Sequence, residues 1–151
     1  METLTIFGIR AILEAIESEK PIDKVWLLKG SQSKLFDQLL YVLRAKKIAF
    51  SFVPTERLNR FSSKNHQGAV ARVAALETKE MEPLVELVMA NKENPLFVLL
   101  DGITDTRNFG AILRSAAAVG VDAIFIPSSG SAPLNGDVVK TSAGGAFKVP
   151  I

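Results

Sequence analysis

Side chains able to do chemistry concentrate in one stretch, Leu100-Asp-Gly-Ile-Thr-Asp-Thr-Arg-Asn-Phe-Gly-Ala-Ile-Leu-Arg114, where carboxylates, an amide and two guanidinium groups surround two glycines. An apolar strand precedes it, and in an open α/β sheet ligands collect beyond the carboxyl ends of strands, at helix N-termini. Gly110 and Arg114 are four residues apart and so share a helix face, with side chains leaning toward the N-terminus. Arg114 is therefore expected to reach back over the bare Gly110 toward Asn108 and the first-turn N–H groups, an arrangement suited to a phosphate or a ribose. A plainer set of roles fits the same residues. Asn108 then only caps its helix, Gly110 only permits close packing, and Arg114 is a solvated surface group.

Several other chemistries are poorly served. The glycines follow neither G-x-G-x-x-G nor G-x-x-x-x-G-K-[ST], which counts against a nucleotide-dependent oxidoreductase or a P-loop. The chain has no Cys and one His, so thiolate metal sites, disulfides and multi-histidine sites are excluded and no metal is expected. His66 reads as the buttress of a turn with Gln67 and Gly68. Asp101 and Asp105 frame the chemical loop, where capping and turn roles are commoner for Asp than metal binding. Trp26 and the phenylalanines at strand or helix spacing read as core, not as platforms for bases.

The elements that position these residues follow from periodicity. The 151 residues, 48% hydrophobic and 23% charged, suit an ordinary α/β protein. Ile9, Ile12, Leu13 and Ile16 predict a helix, 24–29 a strand, and 34–46 a helix with Leu35, Leu39, Leu40 and Leu43 as its stripe. A strand is expected at 48–53, then a short helix capped by Thr55, then an apolar run at 69–76. A helical turn or two is expected around Leu84, Leu87 and Val88. Beyond it, 96–101 reads as a strand covered on both faces. Asn108 is the expected N-cap of a helix to Val119, and Gly120 its left-handed stop. A strand at 122–127 completes a βαβ unit, followed by a helix at 136–141 and a strand beginning at Phe147. The expected organisation is a first domain at 1–76, a linker at 77–95 and a second domain at 96–151.

Charge supports this division: residues 1–76 carry 12 Lys+Arg against 7 Asp+Glu, net +5, and residues 77–151 carry 6 against 9, net −3. A basic first half suggests a polyanion-binding module. Arg10, Lys64 and Arg72 are its expected anion contacts. Neither a secretory signal nor a membrane span is expected, and the default location is cytoplasmic. The short parallel sheet is expected to need cover from residues beyond Ile151.

Three segments, Phe7-Gly-Ile-Arg-Ala-Ile-Leu-Glu-Ala-Ile, Asn65-His-Gln-Gly-Ala-Val-Ala-Arg-Val and the stretch from Leu100 to Ala116, resemble the SpoU (TrmH-type) RNA ribose methyltransferases in order and spacing. Gly120-Val-Asp-Ala-Ile-Phe-Ile-Pro and Lys140-Thr-Ser-Ala-Gly-Gly-Ala-Phe-Lys-Val-Pro extend the resemblance over nearly the whole chain. It implies a small α/β substrate-binding domain, similar to small ribosomal RNA-binding proteins, followed by part of a SPOUT domain with a trefoil knot. The implied reaction moves a methyl group from S-adenosylmethionine to a ribose 2′-hydroxyl, on a guanosine of large-subunit ribosomal RNA or alternatively on transfer RNA.

The resemblance makes Arg114 and Asn108 catalytic, with Gly110 and Arg107 among the substrate contacts. A guanidinium is always protonated, so Arg114 is expected to act electrostatically and not as a base. Asp105-Thr106 stands where the family usually has Asp-Pro. The later motifs of the family have no counterpart before Ile151, so the cofactor pocket is expected beyond that residue. On this expectation the 151 residues alone neither bind S-adenosylmethionine nor methylate RNA, and the full-length protein is a homodimer. A non-catalytic RNA-binding module derived from the family is the competing expectation.

Overall fold

A computed structural model describes residues 3–61 and 65–151. The chain divides into two compact units, Met1–Ala75 and Leu76–Ile151.

The first unit runs β1 (Thr3–Phe7), α1 (Ile9–Glu17), β2 (Ile22–Leu28), α2 (Lys34–Ala45), β3 (Phe50–Val53), α3 (Thr55–Asn59) and β4 (Ala69–Ala74). Its four strands form a mixed sheet in the order β1-β4-β2-β3, antiparallel except between β2 and β3. β1 is absent from the sequence reading, because its only partner is β4, far along the chain. α1 buries Ile9, Ile12, Leu13 and Ile16 as expected. In α2 the stripe turns: Phe36, Leu39 and Leu43 are buried while Leu35 and Leu40 are half-buried. Ser33 caps α2, accepting a hydrogen bond from the Phe36 N–H. Thr55 does not cap α3; Pro54 stands at the N-cap position, without a side-chain bond.

Cross-strand pairing sorts the residues of this sheet onto two faces. Ile6, Val25, Leu27, Ala71 and Val73 share one, fully buried, on the side where α1 lies along β1 and β4 and beside α2. Phe7, Trp26, Val53 and Val70 share the other and pack with Leu58 of α3.

The second unit runs α4 (Met81–Asn91), β5 (Phe97–Leu99), α5 (Thr106–Val119), β6 (Ala123–Phe125) and α6 (Gly136–Thr141), then a 3-10 turn at Gly145–Phe147. The stretch expected as a linker thus carries an eleven-residue helix. β5 and β6 pair in parallel, as the βαβ pattern demands. β5 is not covered on both faces: Leu99 is 75% exposed, and Leu96 just before the strand 48%. Its apolar run therefore did not signal two-sided burial among the described residues. The expected strand at Phe147 is a 3-10 turn instead, although the chain then passes close enough to β6 for the Ile124 N–H to donate to the Pro150 carbonyl.

Asp122 fastens the start of this sheet. Its carboxylate accepts from the Leu96 N–H at 2.9 Å and pairs with Lys92 at 3.1 Å, while its own N–H donates to the Leu96 carbonyl. Those contacts, first the Leu96 N–H and then Lys92, hold the Asp122 carboxyl below its ordinary value. No helix among the described residues is long and apolar enough to cross a membrane.

Candidate functional site

The residues singled out in the second unit all stand on α5, and its start is set by Asp105. The Asp105 carboxylate accepts from the Asn108 N–H at 2.8 Å and its carbonyl from the Phe109 N–H at 2.9 Å. Asp105 is the N-cap, and Asn108 lies three residues inside the helix. The expectation that Asn108 caps α5 is corrected, because the acidic side chain has the extended backbone a cap requires. A negative charge thus already occupies the helix N-terminus, where the sequence reading placed an incoming anion. At the other end Gly120 adopts φ 77°, ψ 38° and stops the helix as expected.

Gly110 is buried by its neighbours. A Cβ built there would lie 2.5 Å from Thr141 Cβ, 2.8 Å from its Cγ2 and 3.1 Å from the Ser142 nitrogen. The packing role open to Gly110 in the sequence is therefore the one the structure displays: α6 sits directly on it. One and two turns on, Gly145 does the reciprocal service, for a Cβ there would meet Leu113 O at 3.0 Å, Arg114 Cα at 3.2 Å and Ala117 Cβ at 3.3 Å. The backbone of Arg114 is thus seated against a bare glycine, while its side chain is exposed.

Ser142, only 1% exposed, holds this seat together. Its hydroxyl donates to the Val139 carbonyl at 3.0 Å and accepts from the Ala146 N–H at 3.2 Å. Thr141 donates to the Asp137 carbonyl at 2.7 Å, and Asn135 caps α6 by accepting from the Asp137 and Val138 N–H groups. None of these positions was singled out from the sequence as a support for Arg114. The available signal was the run of small residues from Thr141 to Ala146.

Helix phase decides which candidates come together. Arg107, Gly110 and Arg114 are spaced three and four apart and so lie on one side of α5, where α6 covers Gly110. Asn108 and Arg114 are about 120° apart around the axis and about 9 Å apart along it, so Asn108 does not stand beside the Arg114 backbone. Arg107, Asn108 and Arg114 are all exposed. No hydrogen bond or ion pair engages the Arg107 or Arg114 guanidinium among the described residues.

In the first unit two of the expected RNA contacts, Arg10 and Arg72, stand on different elements. Arg10 is exposed on α1, Arg72 projects from the sheet face that carries Trp26, and Lys64 lies outside the described residues. His66 behaves as the sequence suggested: its Nδ1 accepts from the Gly68 N–H at 3.0 Å and its Nε2 meets Asn59 Oδ1 at 3.0 Å, bracing the turn between α3 and β4. Trp26 is buried as expected, but Phe52 and Phe61 are 48% and 38% exposed and leave the core reading for those two wrong.

One open cavity of about 380 Å³ lies between β5 and α5, lined by Val98, Ala111, Ile112, Ser115, Ala116, Val119 and Val121. Apart from Ser115 its walls are hydrocarbon. Among the described residues no group of three or more His, Cys, Asp or Glu could hold a metal ion.

These features agree with comparisons to known proteins. Residues 5–79 match a family model described as RNA 2′-O ribose methyltransferase substrate binding, and residues 95–151 match that of the SpoU rRNA methylase family. The chain belongs to the SpoU family. It is 37% identical over 148 residues to the 23S rRNA (guanosine-2′-O-)-methyltransferase RlmB of Haemophilus influenzae, covering 97% of this chain and 60% of that protein. Its fold matches the SpoU methyltransferase AviRb of Streptomyces viridochromogenes, solved with AdoMet, at TM-score 0.74 and 24% identity over 98% of this chain and 52% of that one. An AdoMet-bound rRNA methyltransferase from Sinorhizobium meliloti matches at TM-score 0.71 and 20% identity, over 99% of this chain and 53% of its own. At those identities the two structures speak for the fold alone. The chain spans about three fifths of the length of the curated relatives it matches.

Proposed function

We propose that this chain is the RNA-handling part of a 2′-O-methyltransferase that modifies a guanosine of large-subunit ribosomal RNA. The observation that carries this reading is the match of both family models, in order, to the two compact units. The similarity to RlmB supports the choice of ribosomal RNA, and transfer RNA is the alternative substrate. The first unit, net +5, binds RNA through its phosphates. In the second, α5 presents Arg114 and Arg107 from one face.

Arg114 acts as a fixed cation. Its guanidinium binds the phosphate next to the target ribose and stabilises the negative charge that develops on the 2′-oxygen. Seating its backbone against Gly145 limits the positions it can take, and orientation of this kind is a large part of a transfer reaction's acceleration. Asn108 contacts the ribose from the neighbouring side of the helix. S-adenosylmethionine supplies the electrophilic methyl group. The hydrocarbon cavity beside β5 has no charged group to meet the amino and carboxylate ends of that cofactor, so its lining is not assigned to it.

The deciding experiment is nucleoside mass spectrometry of ribosomal and transfer RNA after incubation with S-adenosylmethionine and the protein that carries this chain. Arg114→Ala should lower kcat by at least a hundredfold with the melting temperature unchanged, and Arg114→Lys should recover part of the loss. An undiminished rate in Arg114→Ala refutes the role of the cation. The 151 residues alone are expected neither to bind S-adenosylmethionine nor to methylate RNA; micromolar binding by calorimetry would overturn that expectation.

A further inference from the structure

Two rows of residues cross the sheet face opposite α1. In one, Phe7, Val70, Trp26 and Ser51 stand abreast on β1, β4, β2 and β3, and Leu58 of α3 packs on the first three. In the next, Thr5, Arg72 and Lys24 stand abreast on β1, β4 and β2, and none of the three is buried. Apart from Ser51 at its edge, the first row is apolar and covered; the second is polar and open.

The open row places two cations directly opposite each other, Arg72 and Lys24, a pairing that by itself destabilises a sheet. One carboxylate partly offsets it. The register shifts between Ile22 and Lys24, leaving Asp23 on a bulge from which it meets Arg72 Nε at 2.6 Å. That contact leaves the other guanidinium N–H groups and the Lys24 ammonium with no ion pair among the described residues. Charge on this face therefore asks for an anion.

Aromatic surface lies at the border of the two rows. Trp26 is covered by the Phe61 ring, 4.5 Å between centroids, and by the Arg72 guanidinium, 5.6 Å from its ring centre. Phe61 itself is 38% exposed. A ring packed on an aromatic neighbour and still partly exposed, next to paired cations, meets the two demands of an unpaired nucleotide: a stacking partner for the base and positive charge for the phosphate.

We infer that this half-face binds a single-stranded segment of RNA, one base stacking on Phe61 while Arg72 and Lys24 contact the phosphates beside it. The inference rests on the RNA-methyltransferase reading and adds to it the form of RNA held by the first unit. It also separates the roles of Trp26 and Phe61: Trp26 is the rigid base of the platform, and Phe61 is its contact surface.

Trp26 is the only tryptophan of the chain and so reports on this site directly. The 151-residue chain is titrated with a single-stranded uridine 12-mer, an RNA duplex of equal length, and heparin, following Trp26 fluorescence and the anisotropy of labelled RNA. The uridine 12-mer should change the Trp26 signal and bind more tightly than the duplex. Phe61→Leu, which keeps an apolar cover on Trp26, should weaken its binding about fivefold or more, whereas Phe61→Tyr should bind like the parent. Arg72→Gln should lower the dependence of log affinity on log salt by about one. Equal binding of 12-mer, duplex and heparin, or unchanged 12-mer affinity in Phe61→Leu, would overturn the platform while leaving RNA recognition by the protein intact. Failure of every RNA to bind would overturn both the platform and RNA binding by the first unit.

Discussion

Gly110→Ala separates packing from substrate approach at the centre of α5. The added methyl would sit 2.5 Å from Thr141 Cβ and 2.8 Å from its Cγ2, well inside carbon–carbon contact at about 3.5–4.0 Å. Rotating the Thr141 side chain moves Cγ2 but not Cβ, so α6 itself must shift by about 1 Å. It resists, being held by the Asn135 cap and by the Ser142 bonds to Val139 and Ala146. Overpacking of this kind costs about 1–3 kcal/mol, and the better helix propensity of Ala returns about 1 kcal/mol. With so short a contact, a net loss of about 1–2 kcal/mol is expected. For a unit of this size that is a fall of about 4–15 °C in melting temperature. Thermal unfolding followed by circular dichroism measures it. The double variant Gly110→Ala/Thr141→Gly should show a favourable coupling, because the clash partner is gone. If Gly110→Ala is as stable as the parent or more so, the seat of α6 on Gly110 is not as described.

Three further outcomes follow from the same geometry. Asp105→Ala should destabilise the chain by about 1 kcal/mol through loss of the α5 cap, whereas Asn108→Ala should lie within about 0.5 kcal/mol of the parent; denaturant titration reads both, and a reversed order would restore Asn108 as the cap. Asp122 is held below its ordinary carboxyl value of 3.8 by the Leu96 N–H and Lys92, so its contribution is present above that pH and is lost as pH falls from there through the lowered value. Melting temperature should therefore decline between about pH 5 and pH 3 less steeply in Asp122→Asn than in the parent; identical slopes would remove Asp122 from the account. Gly145→Ala should lower kcat in the complete enzyme with KM for RNA nearly unchanged, since it displaces the Arg114 backbone and leaves the basic residues of the first unit as they are; an equal kcat would show that Arg114 tolerates the movement.

Where the chain itself carried the answer, a short-range rule was at work. The spacing of Ile9, Ile12, Leu13 and Ile16 sufficed for α1, and Gly120 for the end of α5, because a helix is specified within a few residues of itself. The SpoU motifs were legible for the same reason, as local runs. The turn at His66 also followed from its neighbours.

What tertiary structure alone decided has long-range causes. β1 exists because Thr3–Phe7 finds β4, and no local pattern announces a partner so distant. Asp105 and Asn108 are both good caps by composition, and the structure gives the cap to Asp105. Phe61 and Trp26 are alike as aromatic residues; their difference is which one α3 leaves at the surface. The seat of Arg114 on Gly145 joins residues 31 positions apart, and close backbone approach leaves no trace in hydrophobic periodicity beyond the glycines that permit it.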